Sequence, residues 1–225
     1  MTKVIVLRPE PGASETVNRA KARGLNAFAL PLFAIEPINW SAPEPGGFDA
    51  LLLTSANAVR FGGEQLASLR GLPVHAVGKA TGDAARDAGF DIASSGDAGV
   101  ERLLGSLEAD LKLLHLCGED RTETDARQEI TVVPVYRSKV IEPAPDVAVA
   151  HGQLVVLHSP RAARRFAELV SQREANRFDI AVVAISEATA EAAGTGWKLI
   201  ETADHPTDDA LLALVERLCD KGAQE

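Results

Sequence analysis

The chain is poor in the residue types that announce a chemistry. Cysteine occurs only twice in 225 residues, as Cys117 and Cys219. That is too few, and too widely spaced, for a disulfide scaffold or a CxxC metal knuckle, and it suits a reducing compartment. Aromatic residues make up 4%, which argues against a platform for stacking single-stranded bases. Basic residues number 23 against 32 acidic ones, a net charge of −9. Phosphate backbones need a Lys/Arg excess, so no nucleic-acid partner is expected. No apolar run approaches the ~18 residues of a membrane span. The opening burst of MTKVIVLRPEPG is too short for a signal peptide. Neither GxGxxG nor GxxxxGK[ST] occurs, so no dinucleotide fingerprint or P-loop is supported. The five histidines, at 75, 115, 151, 158 and 205, show no ligand spacing, and no metal is expected. These absences leave a soluble, cytoplasmic protein with no membrane partner. The acidic charge and scarce aromatics favour a monomer.

Short apolar runs and Ala-rich amphipathic stretches alternate throughout. The runs at 4–7, 50–53, 74–77, 113–116, 154–157 and 180–185 are almost continuously apolar, the pattern of parallel strands covered on both faces. Between them, helical spacing places Val17 with Ala20, Leu66 with Leu69, and Phe166 with Leu169 and Val170. It also groups Leu211, Leu212, Val215 and Leu218 behind Thr207, a candidate N-cap. Alternating strand and helix predicts an α/β fold with a mostly parallel sheet.

Four segments recur in order roughly a hundred residues on. The run 51–58 (LLLTSANA) returns as 155–162 (VVLHSPRA), and 77–85 (VGKATGDAA) returns as 185–193 (ISEATAEAA). Leu103, Leu104 and Leu107 return as Leu211, Leu212 and Val215, and 29–33 (ALPLF) returns as 132–136 (VVPVY). The chain therefore reads as two similar α/β units. Pro31 and Pro134 sit in extended sequence, where a missing N–H is tolerated at sheet edges and in ribbons. These segments could be paired crossings between interleaved domains. The pattern alone equally allows a simple cut near residue 112.

In open parallel sheets, ligands bind beyond the carboxyl ends of the strands. The residues there are Arg8-Pro9, Thr54-Ser55-Ala56-Asn57, Gly78-Lys79-Ala80-Thr81, Cys117-Gly118, His158-Ser159-Pro160-Arg161 and Ser186-Glu187-Ala188-Thr189. Small hydroxyls or glycines stand where helices should begin, and helix starts offer free N–H groups that suit a carboxylate or phosphate. Each such Ser or Thr also reads as an ordinary N-cap worth about 1 kcal/mol. His158 adjoins Ser159, but a Ser-His arrangement is a matter of spatial geometry. Tyr136 is the one tyrosine in the chain; it reads as a hinge aromatic packing on Phe33 or as a phenol donor at the floor of a cleft.

These residues resemble the uroporphyrinogen-III synthase family. The resemblance rests on Leu7-Arg8-Pro9, Pro31-Leu32, the run 48–59 (FDALLLTSANAV), and Val77-Gly78-Lys79-Ala80-Thr81 with Gly89. It continues through Pro134-Val135-Tyr136-Arg137, Leu157-His158-Ser159-Pro160 and Ala188-Thr189. The chain departs from the family in having Ile185-Ser186-Glu187 where Ile-Gly-Pro is usual, and Cys117-Gly118 where Arg-Gly is common.

The resemblance implies two flavodoxin-like parallel-sheet domains joined by a two-stranded ribbon. Domain 1 would comprise 1–34 and 142–225, domain 2 would comprise 38–133, and the ribbon 35–37 and 134–141. It implies a cofactor-independent hydro-lyase of porphyrin and heme biosynthesis. The substrate would be hydroxymethylbilane, a linear tetrapyrrole, cyclised with inversion of its last ring through a spiro intermediate in the interdomain cleft. The implied catalytic residue is Tyr136. Arg8, Ser55, Ala56, Asn57, Lys79, Thr81, Ser159 and Thr189 are the expected substrate contacts, with no metal ligand. A phenol with a pKa near 10 is protonated at neutral pH and can donate. Two other readings stay open. One is a non-catalytic two-domain sensor for a small anion, and the other is a degenerate synthase-like domain serving a partner enzyme.

Overall fold

The computed structural model describes residues 2–96, 99–121, 125–173 and 176–221. The chain divides into two compact units: Met1–Ala34 with Val140–Glu225, and Ile35–Lys139. The chain opens with β1 (Lys3–Val6), α1 (Gly12–Ala22), β2 (Asn26–Ala29) and β3 (Phe33–Pro37). Next come β4 (Ala50–Leu53), α2 (Ala56–Phe61), β5 (Val74–Val77), α3 (Lys79–Asp87) and β6 (Ile92–Gly96). The middle closes with α4 (Val100–Ser106), β7 (Lys112–Gly118) and the long β8 (Glu129–Val140). The last stretch holds β9 (Leu154–Leu157), α5 (Pro160–Gln172), β10 (Ala181–Ala184), α6 (Glu187–Ala193), β11 (Leu199–Thr202) and α7 (Asp208–Lys221).

One unit carries a sheet ordered β11-β10-β9-β1-β2, parallel at every pairing. In chain order this is the flavodoxin arrangement. The other carries β3-β8-β7-β4-β5-β6, parallel from β8 through β6. Ile38 N–H donates to Val135 O and Ile141 N–H to Leu32 O. One partner's number rises as the other's falls, so this ribbon is antiparallel. Setting β9-β10-β11 then β1-β2 beside β4-β5-β6 then β7-β8 gives the same spatial order twice. The first unit is thus a permuted copy of the second, having taken its last two strands from the start of the chain. That explains the internal repeat.

The apolar runs become strands because both faces are covered. In β4, Leu51 and Leu53 enter one core while Ala50 and Leu52 enter another. In β1, Ile5 lies in one core, and Val4 and Val6 in the opposite one. Side chains alternate across a strand, so two buried faces demand an unbroken apolar run. Strands β2, β6 and β11 lie at sheet edges, and the apolar pattern passes over them. Their sequences, NAFA, IASSG and LIET, are half exposed, as edge strands must be. The expected helix through Leu66 and Leu69 is instead a tighter 3-10 run, Gly63–Leu69, that still buries both leucines.

Helices α1 and α3 stop in the same way. Leu25 N–H reaches Ala20 O past Gly24 (φ +80°), and Phe90 N–H reaches Ala85 O past Gly89 (φ +86°). Both are Schellman ends, where glycine accepts the left-handed backbone without strain. In the first unit Phe166, fully buried, stacks on Trp197 with ring centroids 5.5 Å apart. Phe166→Ala is expected to cost about 3–5 kcal/mol. Urea unfolding followed by Trp197 fluorescence in a Trp40→Phe background measures it.

Candidate active site

In the unit spanning Ile35–Lys139, the site is built around a break in strand register. Strands β7 and β8 pair from Lys112 opposite Glu129 to Cys117 opposite Pro134, and then Gly118 stands opposite Tyr136. Proline has no N–H to give to a ladder, and the extra residue makes a bulge that re-aims the next side chain. Tyr136 is thereby laid over Gly118. A Cβ at position 118 would stand 2.8 Å from the tyrosine Cε2, so the ring requires glycine beneath it. Phe61, at the end of α2, lies 6.5 Å away between ring centroids, tilted by 41°.

Ser55 caps α2 by accepting a hydrogen bond from Asn57 N–H at 3.2 Å. Its hydroxyl lies close enough to the Tyr136 phenol to favour the ionised form of that group. Burial pushes the phenol pKa up, the Ser55 hydroxyl opposes this, and the nearby Cys117 adds to the rise. The phenol therefore stays protonated at neutral pH. Earlier on β7, opposite Val132, His115 is 7% exposed, with Nε2 3.1 Å from Thr54 Oγ1. Burial, helped by the Arg121 charge, pushes its pKa down to about 4. Cys117 is buried, and its thiol pKa is raised chiefly for that reason.

In the other unit the strand ends carry a charged network. Arg8 follows β1 and donates from NH1 to Thr16 Oγ1 at 3.3 Å. Thr16, fully buried on α1, donates its hydroxyl proton to Asp208 Oδ1 at 3.0 Å. His158 Nε2 lies 2.9 Å from the same oxygen, and Arg19 donates to Asp208 Oδ2 at 2.7 Å. Gly12 keeps the space that the Arg8 guanidinium fills, since a Cβ there would be 2.6 Å from Nε. Burial pushes the Asp208 pKa up, but His158, Thr16 and Arg19 outweigh it and hold the carboxyl below its usual range. Burial depresses the His158 pKa; the Asp208 hydrogen bond opposes this and the Arg8 charge reinforces it.

Within each unit, several expected contacts lie at or near these strand ends. Ser55, Ala56 and Asn57 form the start of α2 beside Tyr136. Arg8 lies near His158, and Ser159 caps α5 by accepting from Ala162 N–H at 3.2 Å. Ser159 thus serves as a cap, and His158 turns to Asp208. Lys79 opens α3, exposed and bonded to Asp83 Oδ2 at 2.5 Å. Thr81 is 5% exposed and Thr189 fully buried, with Thr189 Oγ1 3.0 Å from Ser186 Oγ. Among the described residues, no group of three His, Cys, Asp or Glu is placed to hold a metal. No helix among them is long and apolar enough to cross a membrane.

Gly12, Thr16, Asp208 and His115 carry no site signal in the sequence, and Gly118 is signalled there only by its place after a strand. Asp208 reads as an acid in a helix's first turn, behind Thr207, whose Oγ1 accepts from Ala210 N–H at 3.2 Å. Thr16 reads as one more helical residue. His115 carries a consequence for stability. Below pH 6.5 the unfolded chain takes up a proton that the folded imidazole refuses until about pH 4. Stability should therefore fall as pH drops through that window, by up to about 3 kcal/mol from this residue. His115→Gln should flatten the pH dependence of the urea midpoint between pH 6.5 and 4.

The sequence profile described as uroporphyrinogen-III synthase HemD matches residues 14–213. No curated protein sequence matches the chain. The solved uroporphyrinogen-III synthetase of Helicobacter pylori 26695 is similar with a TM-score of 0.67 at 18% identity, over 97% of this chain and 100% of that one. A mutant uroporphyrinogen III synthase from the extremely thermophilic bacterium Thermus thermophilus is similar with a TM-score of 0.51 at 17% identity, over 98% and 100%. At such identities the structural likeness speaks for the fold, and the profile match speaks for the family. The chain belongs to the uroporphyrinogen-III synthase family, lyases of porphyrin and heme biosynthesis.

Proposed function

We propose that the chain takes hydroxymethylbilane, removes its hydroxyl as water, inverts the last pyrrole ring through a spiro intermediate, and closes the macrocycle. The observation that carries this reading is the Tyr136 phenol. It is seated by the bulge over Gly118 and kept protonated by burial, with the Ser55 hydroxyl close by. Departure of a hydroxyl calls for a neutral acid beside it. The protonated phenol can donate its proton to the leaving group. Ser55 Oγ accepts from Asn57 N–H, and its nearness to the phenol favours the ionised phenol that is left once the proton has been given up. The cation formed is stabilised by the pyrrole itself, so the protein's work is to hold the chain so that the correct carbon attacks.

A substrate bearing many carboxylates suits the rest of the design. Arg8, the amides at the starts of α2 and α5, and the expected contacts Ser55, Ala56, Asn57, Lys79, Ser159, Thr81 and Thr189 are the groups we assign to holding it. Thr189, fully buried, acts from inside through its hydroxyl contact with Ser186 at the start of α6. Strand carboxyl ends of both units would share the substrate, and excluding water there would protect the cation. Losing one neutral contact should cost about 0.5–1.5 kcal/mol.

The direct test is incubation with freshly prepared hydroxymethylbilane and analysis of product isomers. The inverted isomer is expected; release of the uninverted isomer alone would overturn the reading. Tyr136→Phe should lower kcat by about 100-fold and leave residual turnover. Gly118→Ala should lower it in the same direction by pushing the ring aside. An unchanged rate in Tyr136→Phe would assign the tyrosine to packing alone.

A further inference from the structure

We infer that Thr16 and Asp208 are positioning residues for Arg8. They hold its guanidinium in place for a substrate carboxylate without neutralising it. The inference rests on the reading of Arg8 as a substrate contact and adds how that contact is made.

Among the described residues Arg8 enters no ion pair, while Arg19 and Arg23, on or just after α1, are paired with Asp208, Asp209 and Glu216. A partly buried guanidinium with no carboxylate is costly unless an anion arrives. A carboxylate directly on Arg8 would remove that cost, but it would also compete with the substrate. Instead a hydroxyl stands between them. Thr16 has one proton, and it goes to Asp208 Oδ1 at 3.0 Å. The Thr16 oxygen then presents only lone pairs, and Arg8 NH1 donates to it at 3.3 Å. Asp208 fixes the sense of that bond, and polarisation along the chain strengthens it.

Asp208 is held in its turn. His158 Nε2, at 2.9 Å from Oδ1, and Arg19 NH1, at 2.7 Å from Oδ2, keep the carboxylate oriented and its charge shared. The His158 side chain is 7% exposed, and the ring contributes as a neutral donor with no charge of its own to set against Arg8. These five residues follow β1 and β9, lie on α1, or open α7, so the network binds four elements at the place where Arg8 emerges.

The test is a double-mutant cycle on the full chain with hydroxymethylbilane, read as KM and kcat separately. Thr16→Val keeps the shape and removes the hydroxyl, and Thr16→Ala deletes it independently. Each should raise KM roughly tenfold and lower kcat far less. Thr16→Ser, which keeps the hydroxyl, should restore KM to within about twofold. In an Arg8→Gln background, Thr16→Val should add less than about twofold, because the residue it positions is gone. A full tenfold rise in that background, or failure of serine to rescue, would assign Thr16 to packing and overturn the inference. An unchanged KM in the Thr16 variants, with Arg8→Gln impaired, would overturn the positioning role and leave Arg8 as a contact. An unchanged KM in Arg8→Gln would overturn both.

Discussion

A parallel strand covered on both faces must be apolar along its whole length. In β4 and β9 every residue is buried, so neither strand can carry a polar side chain in its interior. Polar function is driven to the points where the chain leaves the sheet, and there the helix starts supply N–H groups that have no partner within the helix. Both candidate clusters follow from this constraint. His115 is a polar group inside a central strand, and its depressed pKa shows what that position costs.

The two clusters solve different problems. At Tyr136 the groups that act on the phenol are neutral, a serine and a thiol kept protonated. Around Arg8 they are ionic, with Asp208 gathering three donors. A protonated acid needs surroundings that do not draw its proton away, whereas an anion contact needs a charge that is fixed but not cancelled. The clusters are built on separate sheets, so each set of immediate neighbours suits one chemistry.

The central strands, the long amphipathic helices and the doubled architecture were legible because burial on two faces writes an unbroken apolar signature. Edge strands β2, β6 and β11 were not, since one exposed side lets Asn26, Ser94 and Glu201 interrupt the pattern. At the site, Tyr136, Arg8, Ser55 and Ser159 were legible from their place after a strand. Gly118 was legible there too, but its role beneath Tyr136 was not, and Gly12 was not legible at all, because each glycine is needed for the space it leaves to a side chain from elsewhere. Thr16 and Asp208 lie far apart in the chain, and the bond between them exists only once α1 and α7 are packed beside the same sheet.

The permuted order of strands has a consequence for biosynthesis. The middle unit draws all five of its parallel strands from one continuous stretch, so it can close as soon as β8 has left the ribosome. The other unit must hold β1, α1 and β2 in reserve until β9 emerges, because β1 pairs directly with β9. Nascent β1, entirely apolar after Lys3, would spend that interval without its central partner. Its shortness, four residues, limits the surface that a chaperone would have to shield.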